Sequence, residues 1–218
     1  MNLVTPYAKM TDVATLADGV NLLRKVEWIG RVSHRSEDAQ TETSWERFLR
    51  SVVLGHGDWS ITEHASVTVD AVVDRGITHE WVRHRIGAYT QESTRFVNYE
   101  KKMPASFVVP LGLTDAQRST WEGAIEEVEW AYRSLIQAGC APQIARSVFP
   151  NALASRIVTT YNLRNWRHFF LMRTTREAHP QMRQVAIPLL QEFQAKIPVL
   201  YEDIEPEAKQ SDNMKKMR

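Results

Sequence analysis

The sequence predicts a single-domain α+β fold. Helical segments are interspersed with a few strands but do not alternate with them as regular βαβ units, which argues against a doubly wound parallel sheet. Neither G-x-G-x-x-G nor G-x-x-x-x-G-K-S/T occurs, so the sequence supports neither a Rossmann dinucleotide site nor a P-loop. The 218 residues contain no internal repeat and no Gly/Ser linker, and this length suits one core better than two.

The first half of the chain is predicted to contain three helices, one strand and an ordered loop. Apolar residues at helical spacing predict the first helix, and Thr43 with Glu46 forms a capping-box pattern that opens the second. Alternation rich in β-branched residues predicts the strand, which Gly76 is expected to break. The predicted elements are a helix over 18–32, a helix ending at 55, a strand over 64–74, a short helix over 77–85 and a loop over 87–99.

The second half contains the longest predicted helix. Thr114 with Gln117 forms a capping box, and Gly139 stands where a left-handed residue ends such a helix. The polar residues from 205 to 218 predict a disordered tail, which leaves residues 1–204 as the domain. The predicted elements are a long helix from 114, a short helix over 141–149 that Pro150 stops, a strand over 156–162, and helices over 163–175 and 181–196.

The charge composition indicates small anionic ligands. The 27 basic residues balance 26 acidic ones, but 19 of the basic residues are Arg and 8 are Lys. Arg binds phosphate and carboxylate through a planar fork, whereas Lys serves a solvated surface equally well. A net charge of +1 makes a long nucleic acid a poor partner.

Cysteine, histidine and hydropathy exclude several further classes of protein. Cys140 is the single cysteine, so there is no internal disulfide and no multi-cysteine zinc site. The seven His lack metal-ligand spacing such as H-E-x-x-H, and no metal site is expected. No apolar run has the length of a membrane span and no signal segment opens the chain, so the expected location is the cytoplasm.

Residues 83–95 contain the densest set of chemically useful side chains. Arg83, His84 and Arg85 are followed at 91–95 by a further Arg, with Gln, Glu, Ser and Thr. One interpretation is local, because basic residues at a helix C-terminus satisfy its last carbonyls. The second group of polar residues favours a receptor for an anion and a polar ring.

This segment resembles the signature of the flavin-dependent thymidylate synthases, R-H-R-x-x-S-x-N-x-x-S-x-R, at five of its seven fixed positions. Ala88 and Thr90 stand where the family usually has Ser and often has Asn, and Phe96 replaces a frequent Tyr. The resemblance covers roughly residues 15 to 205, and its further segments are 60–66, 145–150 with Arg156, 162–164, 166–170, 172–173 and 178–183.

The resemblance implies a fold, a reaction and an assembly. The fold is a twisted, mainly antiparallel sheet flanked by helices, which binds flavin without a Rossmann motif. The reaction is the FAD-dependent methylation of dUMP to dTMP, with methylenetetrahydrofolate as carbon donor and NADPH as reductant. The assembly is a homotetramer with shared active sites, in which Trp121, Trp130 and Leu135 of the long helix are partly interfacial.

The resemblance also assigns roles to individual residues. Arg183 is the expected catalytic residue, since its fixed charge can stabilise the ionised uracil ring. Cys140 lacks an adjacent His or Arg and is expected to be structural. The residues implied for dUMP are Glu80, Arg83, Gln91, Glu92, Ser93, Arg95, Arg156 and Arg183. The residues implied for FAD are Ser60, Glu63, His64, Ser66, Arg83, His84, Arg85, Gln91, Arg173 and Glu177; His64 and Ser66 lie beside the flavin or its folate.

Two alternative functions stay open. Ala88 and Thr90 would also suit a flavin- and folate-dependent dUMP hydroxymethylase on the same fold. The arginines of residues 83–95 would suit a nucleic-acid-binding module, although the near-zero net charge and the lack of stacking-aromatic motifs disfavour it.

Overall fold

A computed structural model describes residues 1–101, 103–209 and 212. The strands are β1 (Asn2–Val4), β2 (Tyr7–Met10), β3 (Ser66–Asp74), β4 (Ala88–Gln91), β5 (Ser106–Val108) and β6 (Ala154–Asn162). The α-helices are α1 (Leu16–Val32), α2 (Ser44–Leu49), α3 (Arg75–Trp81), α4 (Asp115–Gln137), α5 (Pro142–Ala145), α6 (Leu163–Arg173) and α7 (Pro180–Lys196). A π-helix spans Arg50–Gly55, and 3₁₀-helices span Glu37–Ala39, Trp59–His64 and Arg146–Val148.

The strands form two sheets. β1 and β5 pair in parallel, and the four-stranded sheet has the order β2-β3-β6-β4. The combination of helices with open, mainly antiparallel sheets confirms the predicted single-domain α+β class. None of the described helices has the length and hydropathy needed to cross a membrane.

Contacts within the domain define two compact units. Unit 1 comprises Met1–Tyr7, Ala71–Arg83 and Thr90–Val158. Unit 2 comprises Ala8–Asp70, His84–Tyr89 and Thr159–Arg218. The tail predicted over 205–218 is described only in part, because residues 210, 211 and 213–218 lie outside the described residues.

Unit 1 is built around α4. Thr114 and Gln117 make the predicted capping box, and Gly139 has a φ of +87°, so both ends of this helix agree with the prediction. The Tyr132 ring stacks on Phe149 with ring centroids 4.5 Å apart. The buried core of this unit consists of Tyr99, Ala105, Phe107, Ile125, Tyr132, Ala145 and Leu153.

Unit 2 packs α1, α6 and α7 around an aromatic core. The Trp166 ring stacks on Phe170, and its indole N–H donates to the Val67 carbonyl at 2.9 Å. Gly19 allows α1 to approach the end of α7, because a Cβ there would collide with the Lys196 carbonyl oxygen. Large apolar side chains in this core include Leu23, Leu49, Trp166, Phe169, Phe170, Phe193 and Tyr201.

The short helix after β3 differs from the prediction at both ends. It begins at Arg75 because the Asp74 carboxylate accepts from the Ile77 N–H at 2.9 Å, so Gly76 lies within the helix. It ends at Trp81, where the Arg83 N–H donates to the Glu80 carbonyl and tightens the last turn. Residues 83–85 therefore follow this helix and do not form its C-terminus.

Other corrections concern short elements. Residues 88–91 of the predicted loop form β4, because they pair with the neighbouring β6. The side chain of Thr43 makes no capping bond, since the local turn is closed by Ser44 Oγ, which accepts from the Thr41 N–H. The short helix predicted after Cys140 divides into α5 and a 3₁₀ turn, and β1, β2 and β5 were not predicted.

Candidate functional site

In unit 1, two predicted arginines occupy the first and last positions of the signature segment 83–95. Arg83 and Arg95 are both exposed, and neither guanidinium has an ion-pair partner among the described residues. The Arg95 guanidinium lies over the Phe96 ring, 5.4 Å from its centroid. Arg156, on β6, is exposed, whereas Glu80, on α3, is half-buried.

Gln91 lies at the end of β4 in a polar network of unit 1. Its side-chain nitrogen donates to Thr78 Oγ1 at 3.0 Å and to Ser155 Oγ at 3.1 Å. Thr78 and Ser155 are buried, so the network holds the amide in one orientation. Both amide protons are used, which leaves the side-chain oxygen of Gln91 for a ligand.

Glu92 connects the signature loop to the core of unit 1. Its carboxylate accepts a hydrogen bond from Tyr99 Oη at 2.6 Å, and its N–H donates to the Arg156 carbonyl at 2.8 Å. Burial and the Glu92 carboxylate raise the pKa of Tyr99 far above its usual value, so this phenol remains a donor. Glu92 therefore orients the loop, while Ser93 Oγ accepts from the Arg95 N–H at 3.3 Å.

Arg146 supports the same loop; it lies in the segment 145–150 that carries the resemblance, but it was not named among the predicted site residues. Its Nη1 donates to Thr94 Oγ1 at 2.9 Å, and Thr94 is 5% exposed. This charge-assisted hydrogen bond to a buried hydroxyl restricts the conformation of Thr94, which lies between Ser93 and Arg95.

In unit 2, His84 is the predicted site residue whose pKa is shifted most strongly. Its ring lies 5.3 Å from the His168 ring and 5.0 Å from the Phe169 ring, measured between centroids. Burial, together with Arg173 and His168, lowers the pKa of His84 to about 3. His84 is therefore neutral at physiological pH.

The Arg173 contact fixes the tautomer of His84. Arg173 Nε donates to His84 Nε2 at 3.0 Å, so the single ring proton is on Nδ1. This Nδ1 is buried and has no hydrogen-bond partner in the described part of the chain, and the same holds for His168 Nδ1. An unpaired buried donor costs about 1–3 kcal/mol, so an acceptor supplied by a ligand would stabilise this arrangement.

A cavity of about 270 Å³ in unit 2 is lined in part by His168. Its wall is formed largely by Trp59 and by residues of α6. The Arg167 guanidinium lies 4.4 Å from the Trp59 ring centroid. Burial and Arg173 lower the pKa of His168, so this wall residue is also neutral. The lining residues are Trp59, Ile86, Arg164, Asn165, Arg167, His168 and Leu171.

Gly87 brings the signature segment against Tyr161 in unit 2. A Cβ at position 87 would collide with the Tyr161 ring. The Tyr161 hydroxyl bonds that of Tyr89 at 2.6 Å, and Tyr89 Oη donates to the His84 carbonyl. Burial and the Tyr89 contact raise the pKa of Tyr161, so this pair stays protonated.

Four predicted flavin residues lie on or after the 3₁₀-helix Trp59–His64 of unit 2. Glu63 accepts from Arg164 Nη1 at 2.6 Å, which connects it to the wall of the cavity. The other three are Ser60, His64 and Ser66, and all are exposed.

Arg183 forms an ion pair with the tail in unit 2. Its Nη2 lies 2.6 Å from Glu207 Oε1, and the Glu207 N–H donates to the Thr174 carbonyl at 2.8 Å. The Nε of Arg183 is buried without a hydrogen-bond partner among the described residues. Of the other predicted flavin residues, Arg85 and Glu177 are exposed.

Comparison with known proteins shows the family. The family model described as thymidylate synthase complementing protein matches residues 15–199. The chain is also 34% identical over 213 residues to the flavin-dependent thymidylate synthase of Mycobacterium tuberculosis, covering 88% of this chain and 82% of the relative. This chain belongs to the flavin-dependent thymidylate synthase family. The predicted family, and with it the prediction of an enzyme, is confirmed.

Further comparisons agree with this family. The flavin-dependent thymidylate synthase of Pyrococcus abyssi is 36% identical over 145 residues, covering 65% of this chain and 59% of that protein. The crystal structure of the UMP/dUMP methylase PolB from Streptomyces cacaoi, bound with 5-Br dUMP, superposes with a TM-score of 0.77. That likeness covers 93% of this chain and 96% of PolB at 24% identity, and it shows a shared fold.

For this thymidylate synthase family member, sequence reasoning missed most of the cavity wall. Arg164, His168 and Leu171 are spaced i, i+4 and i+7, so they share one face of α6. The available signal was Arg164 and His168 at i, i+4 spacing, in a helix that also contains Asn165, Arg167 and Arg173. Among the described residues, no three His, Cys, Asp or Glu side chains form a group that could hold a metal ion.

Proposed function

We propose that this chain is a FAD-dependent thymidylate synthase. It converts dUMP, methylenetetrahydrofolate, NADPH and a proton into dTMP, tetrahydrofolate and NADP⁺. The observation that carries the proposal is the family match over residues 15–199, which contains every residue predicted for dUMP and FAD.

The residues of unit 2 suit a flavin. A cavity of about 270 Å³ lined by Trp59, His168 and residues of mixed polarity can hold one ring system but not a whole dinucleotide, so the remainder of FAD would extend along exposed residues. His84 and His168 offer unpaired Nδ1 atoms to polar edges, and Arg173 keeps His84 in the donor tautomer. Bound FAD supplies the hydride chemistry that no side chain can perform.

The residues of unit 1 suit the nucleotide. Arg83 and Arg95 are exposed cations without ion-pair partners among the described residues, and Arg156 adds a third guanidinium for the phosphate. The free side-chain oxygen of Gln91 can accept from a ring N–H. Arg183, in unit 2, stabilises negative charge on the uracil ring, and this role requires that its pair with Glu207 opens.

The proposal includes a homotetramer with shared active sites in the cytoplasm. Trp130, on α4, is 67% exposed, which agrees with its predicted place in an interface. Trp121 and Leu135 pack partly against the core of unit 1 and leave only part of their surface for a neighbour.

The decisive experiment combines flavin uptake with product analysis. Purified protein incubated with FAD should acquire the flavin absorption bands, and with dUMP, methylenetetrahydrofolate and NADPH it should release dTMP. Mass spectrometry distinguishes dTMP from 5-hydroxymethyl-dUMP, and the latter product would establish the hydroxymethylase instead. UMP in place of dUMP tests the sugar preference. Protein that takes up no FAD, and binds oligonucleotides with steep salt dependence, would support the nucleic-acid-binding alternative.

A further inference from the structure

Unit 2 contains a second and larger cavity whose lining includes none of the residues predicted for dUMP or FAD. Its volume is about 580 Å³, within the range of about 300–1,000 Å³ typical of small-molecule sites. It lies between the end of α1, the segment 39–44 and α2 with the π-helix that follows. None of its nine lining residues is acidic.

The cavity presents a free positive charge. Arg47 lines it and is exposed, and its guanidinium has no hydrogen-bond or ion-pair partner among the described residues. Its neighbour Arg50, which does not line the cavity, pairs with Glu46 and Glu202. Arg47 is therefore a cation whose charge no described side chain neutralises, next to a concave surface.

Hydroxyl groups and one aromatic face complete the lining. The side chains of Thr41, Thr43 and Ser51 line the cavity and make no hydrogen bond with another described residue. Phe48 supplies an aromatic surface, and the Arg31 guanidinium lies 5.0 Å from its ring centroid. A cation, three free hydroxyls and an aromatic face together suit an anion attached to a ring.

The wall is held in place by residues behind it. Glu27 is fully buried and accepts from Arg31 Nε at 2.9 Å and from Nη2 at 2.8 Å. The Gln40 side chain donates to the Arg24 carbonyl at 2.8 Å and to Glu27 at 3.2 Å, which fixes the segment before α2. The π-helix Arg50–Gly55 widens the turn that carries Ser51, and such turns are frequent at functional sites. A preorganised wall loses little entropy when a ligand binds.

We propose that this cavity binds a small organic anion, whose phosphate or carboxylate pairs with Arg47 and whose ring lies against Phe48. The hydroxyls of Thr43 and Ser51 donate to the remaining oxygens of the anion. Arg31 remains paired with Glu27 and serves as a wall. The site does not depend on the proposed reaction, because no residue assigned to dUMP or FAD takes part.

The test is calorimetric titration of the full-length protein with two ring-bearing probes. Adenosine 2′,5′-bisphosphate presents phosphate, and p-aminobenzoyl-L-glutamate presents carboxylate. We expect at least one to bind with one site per chain, and its identity tells which anion is preferred. Binding should persist when FAD and dUMP are both added. Failure of both probes at millimolar concentration, or displacement by dUMP or FAD, overturns the proposal.

Matched variants locate the binding. Arg47→Gln should weaken it about tenfold or more, because a charge-assisted hydrogen bond is lost, whereas Arg50→Gln should change it less than about twofold. Ser51→Trp should abolish binding by filling the cavity while Arg47 stays intact. Equal effects of Arg47→Gln and Arg50→Gln, or unchanged binding in Ser51→Trp, contradict the assignment. FAD uptake, read from its absorbance in every variant, separates this outcome from failure of the proposed function.

Discussion

The two compact units stabilise their candidate site residues in different ways. In unit 1, Gln91 and Glu92 are held in place by hydrogen bonds to Thr78, Ser155 and Tyr99. In unit 2, His84 and His168 are packed among aromatic rings, and each has a buried Nδ1 without a partner among the described residues.

This difference indicates what each unit requires of a ligand. Hydrogen bonds within unit 1 hold Gln91 and Glu92 in place without a ligand, so the loop keeps its shape and leaves the Gln91 side-chain oxygen and unpaired arginines for a ligand. The aromatic cluster of unit 2 is incomplete, because the unpaired Nδ1 donor of His84 would gain from a ligand acceptor. The predicted dUMP residues lie in unit 1 except for Arg183, and most of the predicted FAD residues lie in unit 2.

Arg183 is the one predicted dUMP residue that lies in unit 2, and its substitution tests whether it acts on the nucleotide. Arg183→Gln should lower dTMP formation by about 10²–10³-fold, because the charge proposed to stabilise the ionised ring is lost. Flavin absorbance should be unchanged. Arg176→Gln, which removes an exposed charge that no role is assigned to, is the control. Normal turnover in Arg183→Gln would remove Arg183 from the mechanism.

Arg146 tests how far the loop of unit 1 depends on its support. Arg146→Gln should raise KM for dUMP by about tenfold or more, because Thr94 loses a charge-assisted hydrogen bond. Steady-state kinetics should show the same effect for Thr94→Val and no further loss in the double variant. Arg118→Gln, which breaks an exposed ion pair on α4, should leave KM unchanged. Additive effects of the two substitutions would contradict a positioning role.

His84 tests the buried cluster of unit 2 through pH. Its pKa is about 3 in the folded protein against 6.5 for an ordinary histidine, so the unfolded chain binds the extra proton between these values. The free energy of unfolding should therefore fall as pH decreases from 6.5 towards 3, by at most about 1.4 kcal/mol per pH unit from this group.

Urea unfolding across this pH range measures the effect. His84→Gln should show a shallower pH dependence than the wild-type protein, while His79→Gln, at an exposed position, should match the wild type. Identical slopes for His84→Gln and the wild type would show that His84 does not remain neutral in the fold.

Glu207→Gln has the smallest expected effect of these substitutions. Glu207→Gln should lower KM for dUMP by up to about fivefold, because an exposed ion pair of about 0.2–1 kcal/mol no longer competes for Arg183. Glu127→Gln, on the exposed face of α4, is the charge-matched control. A higher KM in Glu207→Gln would mean that this pair orients Arg183 instead of competing for it.

Capping residues and C-terminal glycines in the sequence predicted the helices whose ends they mark. Thr114, Gln117 and Gly139 mark both ends of α4, and the structure agrees. β1 and β5 contain three residues each, which is too short for a periodic pattern, and their pairing joins residues about 100 positions apart. The end of α3 was misplaced because a 3₁₀-type bond at Arg83 has no residue signature.

The candidate site, like the fold, could be predicted from the sequence only in part. The types of side chain in residues 83–95 predicted an anion and ring receptor without any structure. The partners of those side chains lie far along the chain: Gln91 bonds Ser155, Thr94 bonds Arg146, and His84 bonds Arg173. Contacts of this kind depend on the folded arrangement, so spacing alone does not reveal them.

Gly87 has a consequence for how this family diverges. The signature treats position 87 as variable, but the Tyr161 ring occupies the space that a side chain there would need. Positions 87 and 161 should therefore covary among relatives, with larger residues at 87 accompanied by smaller ones at 161. A variant library randomised at both positions should recover folded pairs of compensating size. A substitution at position 87 alone should be selected against, although this position is exposed.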